Sequence, residues 1–237
     1  MTEQQLREKV INIMRGWIGC RQGDKTQRKI IATYNKIRPL PLGYRMTYKE
    51  SWCAATISAA GYLAGLQSII FPHMNCGEMI SIYRKAGRWV EDDAYIPRPG
   101  DIIMYYWKDN GVGDCRAHSS HVGMVEKCDG KKITVIEGNM GVNHVCGRRT
   151  MQVNGRYIRG FCCPDYASLV TEENKEDEIV KRYKTIDEIP EWYKHDIQEL
   201  IDIGALRGDK DHNLDLTEDM IRCLIINKRY NEYKQTV

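Results

Sequence analysis

Over the first third of the chain apolar residues recur at helical intervals. Leu6, Val10, Ile13, Met14, Trp17 and Ile18 follow Thr2-Glu3-Gln4-Gln5, which has capping-box spacing, and Gly19 ends the run. A second helical segment, from about Thr26 to Asn35, carries Ile30, Ile31 and Tyr34 on one side. Pro39, Pro41 and Gly43 break the chain into a loop that leads to Cys53-Ala54-Ala55-Thr56-Ile57-Ser58-Ala59-Ala60, a small-residue run that reads as a third helix. Leu66 to Cys76 is irregular, and Gly77 to Ala86 is a short helix with Met79, Ile80, Ile82 and Tyr83.

The period then changes. Pro97-Arg98-Pro99-Gly100 is a turn cluster feeding Asp101 to Trp107, a strand buried on both faces or nearly so. Lys108 to Ser120 is a polar loop, and His121 to Lys127 is the next strand, turned at Asp129-Gly130 into Lys132 to Glu137. Arg148 to Val153 and Arg156 to Phe161 flank Asn154-Gly155, a strong hairpin signal. Helices first and antiparallel strands after predict an α+β domain with segregated layers over residues 1–166. Residues 167–181 are charged and nearly free of apolar positions, as a linker is. Residues 182–237 read as a small all-α module, with one helix at Pro190 to Ile203 and another that starts at Leu216-Thr217.

Composition narrows the function classes. No apolar run approaches the length of a membrane span, which predicts no membrane partner. The N-terminus is polar where a signal peptide carries its apolar region, which predicts synthesis in a cytoplasm. Nine cysteines, an odd number without framework spacing, suit reduced thiols. The net charge of +3 hides an asymmetry. From Ala167 onward 11 Lys+Arg face 17 Asp+Glu, or −6, whereas residues 1–166 hold 24 against 15, or +9. A basic body suits an anionic partner, nucleic acid or bacterial wall, and equally an uneven solvated surface. Arg148, Arg149, Arg156 and Arg159 come without any nucleic-acid-binding motif. They read as contacts to an anionic wall or as solvated strand faces, with no nucleic acid partner.

A thiol amidase or protease needs a thiolate, an imidazole to move its proton and a polar group to orient that imidazole. Cys53 lies in the first turn of a helix, where unpaired N–H groups and the helix dipole favour thiolate. His121 opens a strand and Glu137 ends its hairpin partner. Symmetric pairing about Asp129-Gly130 sets position 121 opposite roughly 138, at the same end of the sheet. Asn139 is a second candidate for the orienting role.

Trp52-Cys53-Ala54-Ala55, Pro99-Gly100-Asp101-Ile102, Ser120-His121-Val122-Gly123 and Val135-Ile136-Glu137-Gly138-Asn139, in that order, resemble the CHAP domain. The resemblance covers about residues 5 to 166. It implies a papain-like fold and a cysteine amidase or endopeptidase of peptidoglycan, with Cys53 as nucleophile, His121 as general base and then acid, Glu137 as orienter and Asn139 in support. It implies no cofactor, and bacterial peptidoglycan, with or without anionic wall polymers, as partner. A phage endolysin passed to the wall through a holin would explain the missing signal peptide. The alternatives are a non-catalytic wall-binding or assembly protein on the same fold and a thiol peptidase with a protein substrate.

Three further features change the picture less. Gly43 to Glu50, where some CHAP lysins carry an acidic calcium loop, has one carboxylate among its residues and predicts no calcium site. Cys115, His118, His121 and Cys128 fit no common zinc spacing, so no metal is expected. Ile186 to Thr217 looks like a single surface-layer-homology-type repeat, for which wall targeting and a structural or dimerising role are both open.

Overall fold

The Thr2 hydroxyl accepts from the Gln5 N–H while the Gln5 side chain accepts from the Thr2 N–H, and this reciprocal cap starts α1 (Glu3–Arg15). Asp24 accepts from the Gln27 N–H and starts α2 (Lys25–Tyr34). Helix α3 (Cys53–Ala64) ends at Gly65, whose φ of 75° is the left-handed conformation that glycine adopts without strain. Helix α4 (Cys76–Lys85) is capped by Asn75. This computed structural model describes residues 1–112, 115–116, 118–170, 182–211 and 213–236.

The chain divides into two compact units, Met1–Thr171 and Glu172–Val237. In the first, α3 is the centre. Residues from Cys53 to Gly61 are all buried, because α1, α2 and the sheet pack around one helix, and its alanines let them approach. Val10, Ile11, Met14, Ile30, Ile31 and Ile57 are fully buried in this layer, each contributing roughly 1.5–3 kcal/mol.

Six antiparallel strands form the sheet: β1 (Trp89–Val90), β2 (Ile102–Tyr105), β3 (His121–Cys128), β4 (Lys132–Met140), β5 (Val145–Gln152) and β6 (Ile158–Cys162). Their spatial order is β1-β6-β2-β3-β4-β5. One face carries Ile102, Met104, Val122, Met124 and Ile136 onto the helices, and the other carries a second cluster around Ile103, Tyr105, Val125 and Val135. The α+β architecture with helices on one face of an antiparallel sheet agrees with the reading of the sequence.

The Asn154-Gly155 hairpin does not form. Asn154 has the positive φ of a tight turn, 59°, but the strands on either side pair with different partners, β5 with β4 and β6 with β2 and β1. Burial decides the pairing. All five β6 residues are buried, which requires an interior position, whereas β5 alternates outward and suits an edge.

Strand β4 crosses α3 at Gly138, where a Cβ would lie 2.2 Å from Thr56 Oγ1 and 3.0 Å from Trp52. Only glycine permits this approach. Gly138→Ala is therefore expected to destabilise the first unit by about 1–3 kcal/mol, read as a lowered denaturation midpoint. An unchanged midpoint would refute this account of the helix–strand contact.

Residues 167–170, at the start of the charged stretch, belong to the first unit, since Leu169 and Val170 pack against its core and the Tyr166 hydroxyl donates to the Gly100 carbonyl. The rest of the expected linker, 171–181, lies outside the described residues. The second unit has helices α5 (Glu191–Asp202) and α6 (Glu218–Thr236) and a core of Tyr183, Ile189, Ile197, Leu200, Leu216, Ile221 and Ile225. It is not purely helical. Arg182–Tyr183 (β7) pairs with Leu216–Thr217 (β8), so the residues expected to open the last helix form a strand first.

Candidate active site

Strand register brings the polar residues together. Tyr105 lies directly opposite His121, and Met124 opposite Ile136. Continuing that ladder one pair toward the sheet end sets Gly123 opposite Glu137, whose partner on the far side is Gly147. Glu137 thus has a glycine on each flank. A Cβ on Gly123 would lie 2.8 Å from Glu137 Cγ, so the bare backbone there is what lets the carboxylate lie along the sheet and reach the next strand.

The reach ends on His121. Its Nε2 donates to Glu137 Oε2 at 3.0 Å, and the Arg149 Nε donates to the other carboxylate oxygen at 2.7 Å. His121 is 6% exposed and Glu137 fully buried. The imidazole lies near-parallel to the Tyr105 ring at 5.9 Å, and the Arg149 guanidinium sits 4.7 Å over Trp107, which itself stacks on Tyr105. This packing fixes the ring plane as well as the tautomer.

With Nε2 committed to Glu137, Nδ1 is the nitrogen left for a proton exchange, and the charge of His121 acts on Cys53, the first residue of α3. The Cys53 thiol is held well below its ordinary pKa. A hydrogen bond from Cys76 contributes most. Burial opposes it, and the hydrogen bond and charge of His121 and the Ala54 N–H reinforce it. For His121, burial pulls the pKa down, but hydrogen bonds to Cys53 and Glu137 and their charges push it up to about 9. Burial alone would raise the Glu137 pKa, yet His121 and Arg149 hold it below the usual carboxylate value. Both shifts favour the ionised forms, thiolate at Cys53 and imidazolium at His121.

Of this group Cys53 borders an open cleft of about 400 Å³, lined also by Ser51, Asn75, Cys76, Tyr106, Lys108 and His118 among others. A depression of similar volume around Ile37, Leu40 and Phe71 contains no thiol.

Asn139 is not part of the group. It adopts a positive φ of 57° and its Oδ1 pairs with His144 Nδ1 at 2.9 Å. The exposed His118 stands over Gly77 at the start of α4, away from the carboxylate. Of the four arginines read as wall contacts or solvated faces, Arg148 and Arg156 are about half exposed, and all four have partners within the chain. Arg148 pairs with Glu126 at 2.5 Å, Arg149 with Glu137, Arg156 with the Asp109 carbonyl and Arg159 with Glu91. Both oxygens of Glu50, the carboxylate of the loop before Cys53, accept from Tyr44 and the Thr47 N–H. Among the described residues one His/Asp/Glu group, His195, Asp196 and Glu199, is close enough to share an ion. Lys228 and Arg229 already pair with its carboxylates.

The sequence model of the CHAP domain matches residues 43–139, a span that contains Cys53, His121, Glu137 and Asn139. CHAP domains are in general cysteine- and histidine-dependent amidohydrolases. The match includes no residue of the second unit and lends nothing to the surface-layer-homology resemblance. No curated protein matches the chain. A solved structure titled "The crystal structure of Ly7917" is 17% identical, with 67% of this chain and 62% of that one covered, at a TM-score of 0.35. The chain thus spans less than two thirds of that protein's length.

Proposed function

We propose that the first unit is a thiol amidohydrolase that cuts an amide in the peptide part of peptidoglycan. The observation that carries the reading is His121, hydrogen-bonded to the buried Glu137 carboxylate and acting by its charge on Cys53 at the start of α3. Cys53 Sγ attacks the amide carbonyl, and His121 gives its Nδ1 proton to the departing amine. The same nitrogen then takes a proton from water as the acyl-enzyme hydrolyses. The Cys53 N–H, in the first turn of α3, is a donor for the oxyanion. An open cleft with one lysine, Lys108, among its described lining residues suits a peptide carrying free carboxylates. Release through a holin-type route is part of the same proposal.

Digestion of Gram-positive-type peptidoglycan, with products weighed by mass spectrometry, tests it. New amino termini at one stem or bridge position support the reading and identify the bond. No release from several wall types would remove peptidoglycan as the substrate.

The pH dependence follows from the pair. His121 must be protonated and Cys53 ionised, so kcat/KM is expected to be bell-shaped, with an alkaline limb at about 9 where the imidazolium loses its proton. The acid limb lies well below the ordinary thiol pKa. Glu137 favours the charged imidazole, so Glu137→Gln should move the alkaline limb to lower pH and reduce kcat/KM by about 10²-fold. A limb that stays in place would remove Glu137 from the mechanism.

A further inference from the structure

The proposed reaction uses one thiol, yet the cleft holds two. Cys53 opens α3 and Cys76 opens α4, so the first turns of two helices meet there, with the sulfurs 3.9 Å apart. Both thiols are free, and both border the cleft, at 6% and 8% exposure. From that separation modest side-chain rotation brings two sulfurs to the roughly 2.05 Å of a disulfide.

We infer that Cys53 and Cys76 form a peroxide-responsive pair, in which Cys76 captures oxidised Cys53 as a reversible disulfide. The inference rests on the proposal that Cys53 is a nucleophilic thiolate. The Cys53 thiolate attacks one oxygen of a hydroperoxide and becomes a sulfenic acid, while the O–O bond breaks and the other oxygen leaves as alkoxide, protonated to an alcohol or water. The Cys76 sulfur then attacks Cys53 Sγ, the S–O bond breaks, and the hydroxyl departs with the Cys76 proton as water. Two thiols are oxidised and one peroxide is reduced.

The geometry gives Cys76 an advantage over a second peroxide molecule. It is already in contact with Cys53, whereas the next oxidant must diffuse into the cleft. The disulfide therefore forms before sulfinic acid, which thiol reductants do not reverse. An enzyme working outside a reducing compartment would be silenced by oxidation but not destroyed.

The test treats the full chain with hydrogen peroxide and maps the cysteines by mass. The expected wild-type product has lost two hydrogens and yields a peptide linking Cys53 to Cys76, and dithiothreitol restores both thiols and all of the hydrolytic activity. In Cys76→Ser, Cys53 should gain two or three oxygens and activity should stay lost after dithiothreitol. Wild-type Cys53 carrying oxygens beside a free Cys76, or unmodified, overturns the inference, as does a link confined to the neighbouring Cys20 and Cys146. Should Cys76→Ser not fold, the wild-type map still decides. Parallel alkylation with iodoacetamide separates the two readings. Fast labelling of Cys53 without a disulfide overturns this inference alone, and slow labelling overturns the thiolate nucleophile too.

Discussion

Cys53→Ala is expected to reduce the release of new amino termini from peptidoglycan by at least about 10⁴-fold, with the fold retained. Both halves follow from the position of the thiol. The sulfur is the only atom of the group that can form the acyl intermediate, and the Cys53 thiol is held well below its ordinary pKa. The backbone at residue 53 continues into a run of alanines packed in the core, so alanine fits the helix without strain. Adding His121→Ala to Cys53→Ala should cost little more, because the members of such a group act as a unit. Substantial release by Cys53→Ala would exclude a covalent mechanism.

Local signals in the sequence carried most of the first unit, and carried it where the physics is local. The reciprocal cap at Thr2 and Gln5, the small-residue helix opened by Cys53 and the turn at Asp129-Gly130 each depend on residues a few positions apart. Symmetry about that turn brings position 121 near 138. A bulge between Val125 and Lys127 shifts the register by one residue without separating His121 from Glu137. Long-range choices were not legible. Asn154-Gly155 specifies a turn but not which strands flank it, and the burial of β6 overrides the hairpin. Arg149 looks like any exposed strand cation until register sets it diagonal to Glu137. Cys76 follows an irregular stretch, and only the docking of α4 carries it to Cys53. Asn139 lies in the right segment, but its positive φ turns it to His144.

Arg149 yields the other large effect. Glu137 is a carboxylate with no exposure, kept ionised by one cation on each oxygen. Arg149→Met leaves that charge with His121 alone. The expected loss is about 3 kcal/mol, at the low end for a broken buried pair because the Arg149 side chain is itself 32% exposed. Glu137→Gln should cost less, since a partly exposed guanidinium turns to water more readily than a buried carboxylate does. The double variant Glu137→Gln/Arg149→Met removes both charges, so its loss should fall short of the sum of the singles by roughly 1–3 kcal/mol. At about 2–4 °C per kcal/mol for a unit of this size, the coupling is measurable in thermal denaturation. The pH dependence provides an independent check. Glu137 has a depressed pKa when folded, so its ion pairing stabilises above the carboxylate's unfolded pKa and is lost as pH falls through the folded one. The gap between wild type and Arg149→Met should therefore be full at neutral pH and shrink in acid. Additive losses and a gap independent of pH would mean that Arg149 does no more than pack against Trp107.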